Sequence, residues 1–436
     1  MKRTALVVTF ATLALLATSC SEAAPIDRNS HGTTKPNTST PCDGPKLLTC
    51  ARASTIGDFV PAKATRATGT PIKLGMINQE NTPAGSFPEL SQAVQAATKF
   101  VNEQLGGVDG HPLQVEVCNT KFSTEGSTAC AQKFVDEKVP AVLGGIDVFG
   151  NGIDTLDQND IPYIGGIPVS GQSLKSANSF QWSGGSQGAM VGFADYAIRT
   201  LKAKNVAIVY SEFGSITESA KYGERVLKDS GIQVTLVPFP IMSTDISTPI
   251  QAAQANNPDA IVILAADTGC KGAFDALEAQ QVTAQAFFTG ACASPTIIEP
   301  LADSKTNGTI FNVEGPVIRS DPGPDPTLYG AVIEQFGDGL DPIGAGTVSF
   351  RSFMNLYAVM REIGANKLSP ATITAALRAK VDAPSFMGHA YTCDGKQFKG
   401  LPAMCSPQQI LARMDHKELN QVGDWIDVGA IYAATF

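Results

Sequence analysis

Past its first twenty residues, this 436-residue chain has no apolar run long enough to cross a bilayer, so helical spans are excluded from most of it. Positive charge is also scarce. Against 41 Asp and Glu stand 32 Lys and Arg, a net charge of -9, without the clustered cations that hold nucleic acid or anionic lipid. Histidine is rarer still: His31, His111, His389 and His416 are scattered, and no pair of cysteines has the two-to-four-residue spacing of a zinc site. No metal is expected. Gly106, Gly107 and Gly110 suggest a phosphate cradle, but the Lys-Ser/Thr pair that would reach the phosphates does not follow, which leaves turn glycines and no cofactor.

What the chain does have begins at its N-terminus. Lys2 and Arg3 precede an apolar run from Ala5 to Ala17, too short to span and typical of a cleaved export signal. The small residues before Cys20 resemble the lipobox of bacterial lipoproteins, which implies cleavage at residue 20 and a lipid on Cys20. An exported chain tied to the membrane by lipid alone is the expectation. Eight further cysteines, Cys42, Cys50, Cys118, Cys130, Cys270, Cys292, Cys393 and Cys405, form an even set in an oxidising compartment and read as four disulfides. Of the 105 pairings open to eight cysteines, we expect the nearest-neighbour one.

Residues 21–70 are rich in Ser, Thr, Pro, Asn and Gly and are expected to be a flexible tether. From Pro71 onward, β-branched runs alternate with helical periods. Strands are expected at 72–77, 113–117, 141–145, 161–166, 205–210, 234–239, 259–264 and 284–290, each apolar enough to be buried on both faces of a parallel sheet. Leu90, Ala93, Val94, Ala97, Phe100 and Val101 mark one helix face. A polar stretch at 171–188 splits the strands into two sets of four, so the fold class is α/β with two doubly wound parallel-sheet lobes. The last third predicts helices at 329–336, 347–363 and 370–378, then short strands near 389–393, 410–415 and 425–428.

Taken in order, IKLGMI, FVNEQLGGVDGHPLQVEV, KFVDEKVPAVLGG, NDIPYIGG, KNVAIVY and NNPDAIVIL resemble the type I periplasmic-binding family, in particular the branched-chain amino acid group of solute-binding proteins that serve ABC importers. The resemblance implies three crossovers between lobe 1 (71–185 and 316–386) and lobe 2 (186–315 and 387–436). It also implies a small polar organic ligand, an amino acid, amide or related compound, held between them by a monomeric body that delivers it to a membrane permease. Ligands of such sheets bind outside the carboxyl ends of strands. Carried over residue by residue, the ligand-binding candidates are Asp147, Val148 and Phe149 after the third strand, Ser170 after the fourth, and Phe213 and Ser215 after the first strand of lobe 2. Asp267 and Thr268 follow its third strand, and Phe87 is an aromatic wall candidate; Asp147 and Asp267 equally fit helix-capping acids, and Phe87 and Phe149 equally fit core packing. Cys292 stands near where the family places an acid for the α-ammonium, a departure that argues against leucine, isoleucine and valine.

Two other classes are compatible with the sequence. Gly184 to Gly188 matches the G-x-S-x-G pattern of a serine hydrolase with Ser186 as nucleophile, although the preceding NSFQWS is polar where that motif needs an apolar strand. A hinge turn with Ser186 near a helix N-terminus explains the pattern without catalysis. A ligand sensor for a signalling partner is the other alternative.

Overall fold

The computed structural model describes residues 42, 44–82, 85–265, 267–313, 315 and 323–435. The expected signal, Cys20 and the tether as far as residue 41 lie outside the described residues. Apolar, β-branched runs form two sheets. The first has the order β2-β1-β3-β4-β5 and is parallel throughout. Its strands are β1 (Ile72–Asn78), β2 (Leu113–Asn119), β3 (Val142–Gly144), β4 (Tyr163–Ile164) and β5 (Ser179–Phe180). The second has the order β12-β11-β10-β9-β8-β6-β7. It comprises β6 (Asn205–Ser211), β7 (Gln233–Phe239), β8 (Ala260–Leu264), β9 (Gln285–Phe288), β10 (Ile310–Val313), β11 (Gln408–Asp415) and β12 (Glu418–Asp427). β7 to β10 are parallel, whereas β11 and β12 are added antiparallel at the β10 edge. In each sheet the first strand lies inside, so chain order reverses beside β1 and beside β6.

The helix Pro88–Gln104 shows how local sequence sets these layers. Proline stands in its first turn with Glu89, both suited to a helix start, and the expected face is buried through Leu90, Ala93, Val94, Ala97, Phe100 and Val101. Left-handed Gly106 and Gly107 stop it. Asn102 then exchanges two hydrogen bonds with the backbone of Leu113, 2.8 and 2.7 Å, pinning the start of β2 to the helix end. Gly75 in β1 lets the next helix, Thr124–Asp136, come close, since a Cβ there would meet the Phe134 ring at 2.6 Å.

Several expectations change. The tether ends before residue 44. Leu47, Ala51 and Ile56 are buried in the first core through the helix Leu47–Ala53, and Thr55 donates two hydrogen bonds to the Asp325 carboxylate, 2.7 and 2.5 Å. A seven-residue helix is too short to show a sustained period, which is why composition suggested a linker. Each sheet has strands beyond its expected four. NSFQWS contains the buried strand β5, and β10 was not anticipated. No strand forms at 389–393; Tyr391 only bridges to Ala383. Met387, Tyr391, Cys393 and Cys405 join the first core, whereas lobe 2 had been expected from residue 387. Helices Pro324–Phe336, Gly346–Ile363 and Pro370–Arg378 lie where the last third predicted them. All four disulfides are the nearest-neighbour pairs. Among the described residues no helix is long and apolar enough to cross a membrane.

Candidate functional site

Outside the carboxyl ends of both sheets, where their strand orders reverse, lies a cavity of about 170 Å³. Asn78, the last residue of β1, organises its first wall. Its Oδ1 accepts from the Ile146 N–H at 3.0 Å and its Nδ2 donates to the Phe87 carbonyl at 2.8 Å, and both partners line the cavity. After β4 the chain turns through left-handed Gly165 and Gly166. A Cβ at Gly165 would lie 2.0 Å from Ser352 Oγ, so the turn needs glycine, and it presents Ile167 and Val169 to the cavity. The second wall comes from the other sheet: Leu264 and Ala265 at the end of β8, and Thr289, Gly290 and Ala291 after β9. Ala291 and Ala293 flank Cys292, whose disulfide with Cys270 ties this turn to the helix Asp267–Ala279.

The described lining contains no Asp, Glu, Lys, Arg or His. Its few polar groups are mostly engaged. Thr289 donates to the Ala265 carbonyl at 3.0 Å, Thr347 to that of Gly344 at 2.9 Å, and Asn312 Oδ1 accepts from the Gly290 N–H at 2.8 Å. Ser186 accepts from Ser219 at 2.8 Å. Gln79 is fully buried with its Nε2 on the Gly85 carbonyl at 3.0 Å, and its Oε1 has no partner.

The expected ligand-binding residues divide. Phe87 and Val148 line the cavity. Asp147 does not: it is buried behind the wall, accepting from Ser127 Oγ at 2.6 Å and the Phe149 N–H at 3.3 Å. Burial pushes its carboxyl above the ordinary value, against the opposing effect of those hydrogen bonds. Ser170 caps the helix Gly171–Lys175 through Ser173 and is not in the lining. Phe149 and Phe213 meet each other and Phe122 in an aromatic triangle, with ring centres 5.2 to 5.6 Å apart. Phe122 and Phe149 follow β2 and β3, and Phe213 follows β6, so this cluster bridges the two sheets' loops beside the cavity. Ser215 stands in the first turn of Gly214–Asp229, and Asp267 and Thr268 begin Asp267–Ala279; the side chains of Ser215 and Asp267 lie outside the description, and Thr268 is not in the lining. Gln79, Ile146, Ile167, Ser186 and Thr289 were missed as cavity residues. A strict reading of the positions directly after each strand would have reached Gln79 and Thr289.

Among the described residues Ser186 has no imidazole for a partner. His111 bonds the Thr70 carbonyl, His389 that of Ala390, and His416 the Asp303 carboxylate. A buried two-residue strand, Ser179–Phe180, does precede the G-x-S-x-G turn, but it stops three residues short of Gly184, and the described residues offer Ser186 no base.

A family model described as periplasmic binding protein matches residues 71–401. Among solved structures, a leucine binding protein from Thermotoga maritima is 16% identical and superposes with a TM-score of 0.68, covering 81% of this chain and 98% of its own. A fatty acid ABC transporter substrate-binding protein from Thermomonospora curvata is 16% identical with a TM-score of 0.69, covering 85% and 95%. A solute binding protein of an ABC transporter from R. palustris, in complex with 4-hydroxybenzoate, is 18% identical with a TM-score of 0.69, covering 82% and 97%. No curated protein matches the chain. At 16 to 18% identity the structural likenesses establish the fold, not the ligand.

Proposed function

Since the chain belongs to the periplasmic binding protein family, we propose that it is the receptor of an ABC importer, anchored by a lipid on Cys20, that encloses a small organic ligand and hands it to a membrane permease. The family sets its location as extracytoplasmic, and the relatives are ligand-binding receptors, not enzymes. The observation that carries the reading is the cavity at both reversal points, with walls contributed by two separate sheets. Ligand contacts made to both walls favour the closed arrangement over the open one, and that difference is what a permease reads. Closure has local support in the Phe122, Phe149 and Phe213 triangle, whose two contacts to Phe213 exist only while the two sets of loops are together.

The structural neighbours described with a fatty acid transporter and with 4-hydroxybenzoate show that the fold serves ligands other than amino acids. The described lining, which carries no charged side chain, offers no ionic partner to the ammonium or the carboxylate of the amino acid expected from the sequence. Native mass spectrometry of the exported chain tests the site: one small organic molecule bound per chain is expected, and a folded Val148→Trp variant should lose it. Retention by that variant places the ligand elsewhere and contradicts the reading. Cys20→Ala should leave the chain in the soluble fraction; an undiminished membrane fraction would rule out the lipid anchor.

A further inference from the structure

We propose that the cavity takes an uncharged ligand, an apolar body carrying one hydroxyl or amide N–H, and that this group donates to Gln79 Oε1. The proposal rests on the receptor reading above and sharpens it to a ligand class. Gln79 follows directly on β1 and is 0% exposed. Its amide orientation is set by its neighbours, because Nε2 faces the carbonyl oxygen of Gly85 at 3.0 Å, which only a donor can do. That leaves Oε1 as a buried acceptor without a partner, in a side chain that lines the cavity. An unpaired buried acceptor is costly, and a donor arriving with the ligand removes that cost.

The other polar groups narrow the class. Thr289 and Thr347 spend their protons on backbone carbonyls, and Asn312 Oδ1 is taken by the Gly290 N–H. Ser186 accepts from Ser219, so its own proton remains for the second wall. Among the described side chains a ligand therefore meets one unengaged acceptor on the first wall, one unengaged donor on the second, and groups such as Phe87, Val148 and Leu264 elsewhere. Neither a carboxylate nor an ammonium finds a charged partner among the described lining residues. A carboxylate would also have its oxygens against Gln79 Oε1, acceptor facing acceptor, and an unpaired ion in an apolar site is strongly disfavoured. Asp147, between the lining residues Ile146 and Val148, is turned into the protein behind the wall. As to size, about 170 Å³ is slightly more than the roughly 150 Å³ of an engineered apolar cavity that admits benzene, so one ring or a short alkyl chain fits.

The test is calorimetric titration of the full exported chain at pH 7.5 with benzyl alcohol, hexan-1-ol, toluene, benzoate, hexanoate and L-leucine. Both alcohols should bind, the matching carboxylates at least 100-fold more weakly, and leucine without measurable heat. In Gln79→Leu, benzyl alcohol should lose about fivefold to tenfold in affinity, the worth of one neutral hydrogen bond, while toluene binding is kept or improved. Retained toluene binding also shows that the variant cavity is intact. Benzoate or leucine binding as tightly as the alcohols overturns the ligand class and leaves the receptor reading standing. So does an alcohol affinity unchanged by Gln79→Leu. If toluene is lost along with the alcohol in that variant, Gln79 is a wall support and not the ligand's acceptor, which also overturns the proposal. Failure of every probe, with no small molecule found on the native chain, overturns both readings.

Discussion

The two walls of the cavity meet the same requirement by different means. Both present apolar side chains from the carboxyl ends of parallel strands. The first wall is held by hydrogen bonds: Asn78 to Ile146 and Phe87, and Asp147 to Ser127 behind it. The second is held covalently, by the Cys270–Cys292 disulfide under Ala291 and Ala293. The comparison teaches that polar residues near a cleft need not serve the ligand. Here Asp147 and most of the hydroxyls satisfy the protein's own backbone and side chains, and the described surface left for the ligand carries no charged side chain.

Breaking the covalent wall should have the largest effect. Replacing Cys270 and Cys292 together by Ala should cost about 3 kcal/mol in denaturant unfolding, against roughly 0.5 kcal/mol less for Cys118 and Cys130, whose loop is shorter (separation 12 against 22). Equal costs would mean that native strain, not loop closure, decides. Next comes the contact between the walls. Phe213→Ala removes two aromatic pairs of about 0.5 to 1.5 kcal/mol each, so ligand affinity should fall by about tenfold with little change in thermal stability of the unliganded chain. Affinity equal to that of the parent would show that the triangle contributes nothing to closure.

The smallest effect concerns the hydrogen-bonded wall. Burial raises the Asp147 carboxyl above its ordinary 3.8, so its favourable contribution is fully present below that value and is lost as pH rises through the raised one. Asp147→Asn should therefore flatten the stability profile across this window, gaining on the parent as pH rises towards 7. Parallel profiles for parent and variant would show that Asp147 titrates as an ordinary carboxyl.

Much of the fold was legible in the chain because long β-branched strands and amphipathic helices carry their own signal. β6, β7, β8 and the helix Pro88–Gln104 fall where periodicity puts them. β5 was not legible: Ser179 and Gln181 are polar yet fully buried, with Ser179 donating to the Ser173 carbonyl and the Gln181 backbone paired with the 403–405 segment, which no local pattern reveals. The folded segment around Leu47 depends on a distant acceptor, Asp325, and was equally hidden. At the site, family likeness favoured polar residues such as Asp147 and Ser170, whose side chains proved to be turned to capping and buried hydrogen bonds. Gln79 was reachable by position alone.

The account depends on two lobes closing over the cavity that their sheets share. Small-angle scattering of the exported chain, with and without a saturating ligand recovered from the native protein, measures that closure directly. A smaller radius of gyration with ligand, abolished in Val148→Trp, is the predicted result. Superimposable scattering curves in the two states, with ligand demonstrably bound, would contradict it.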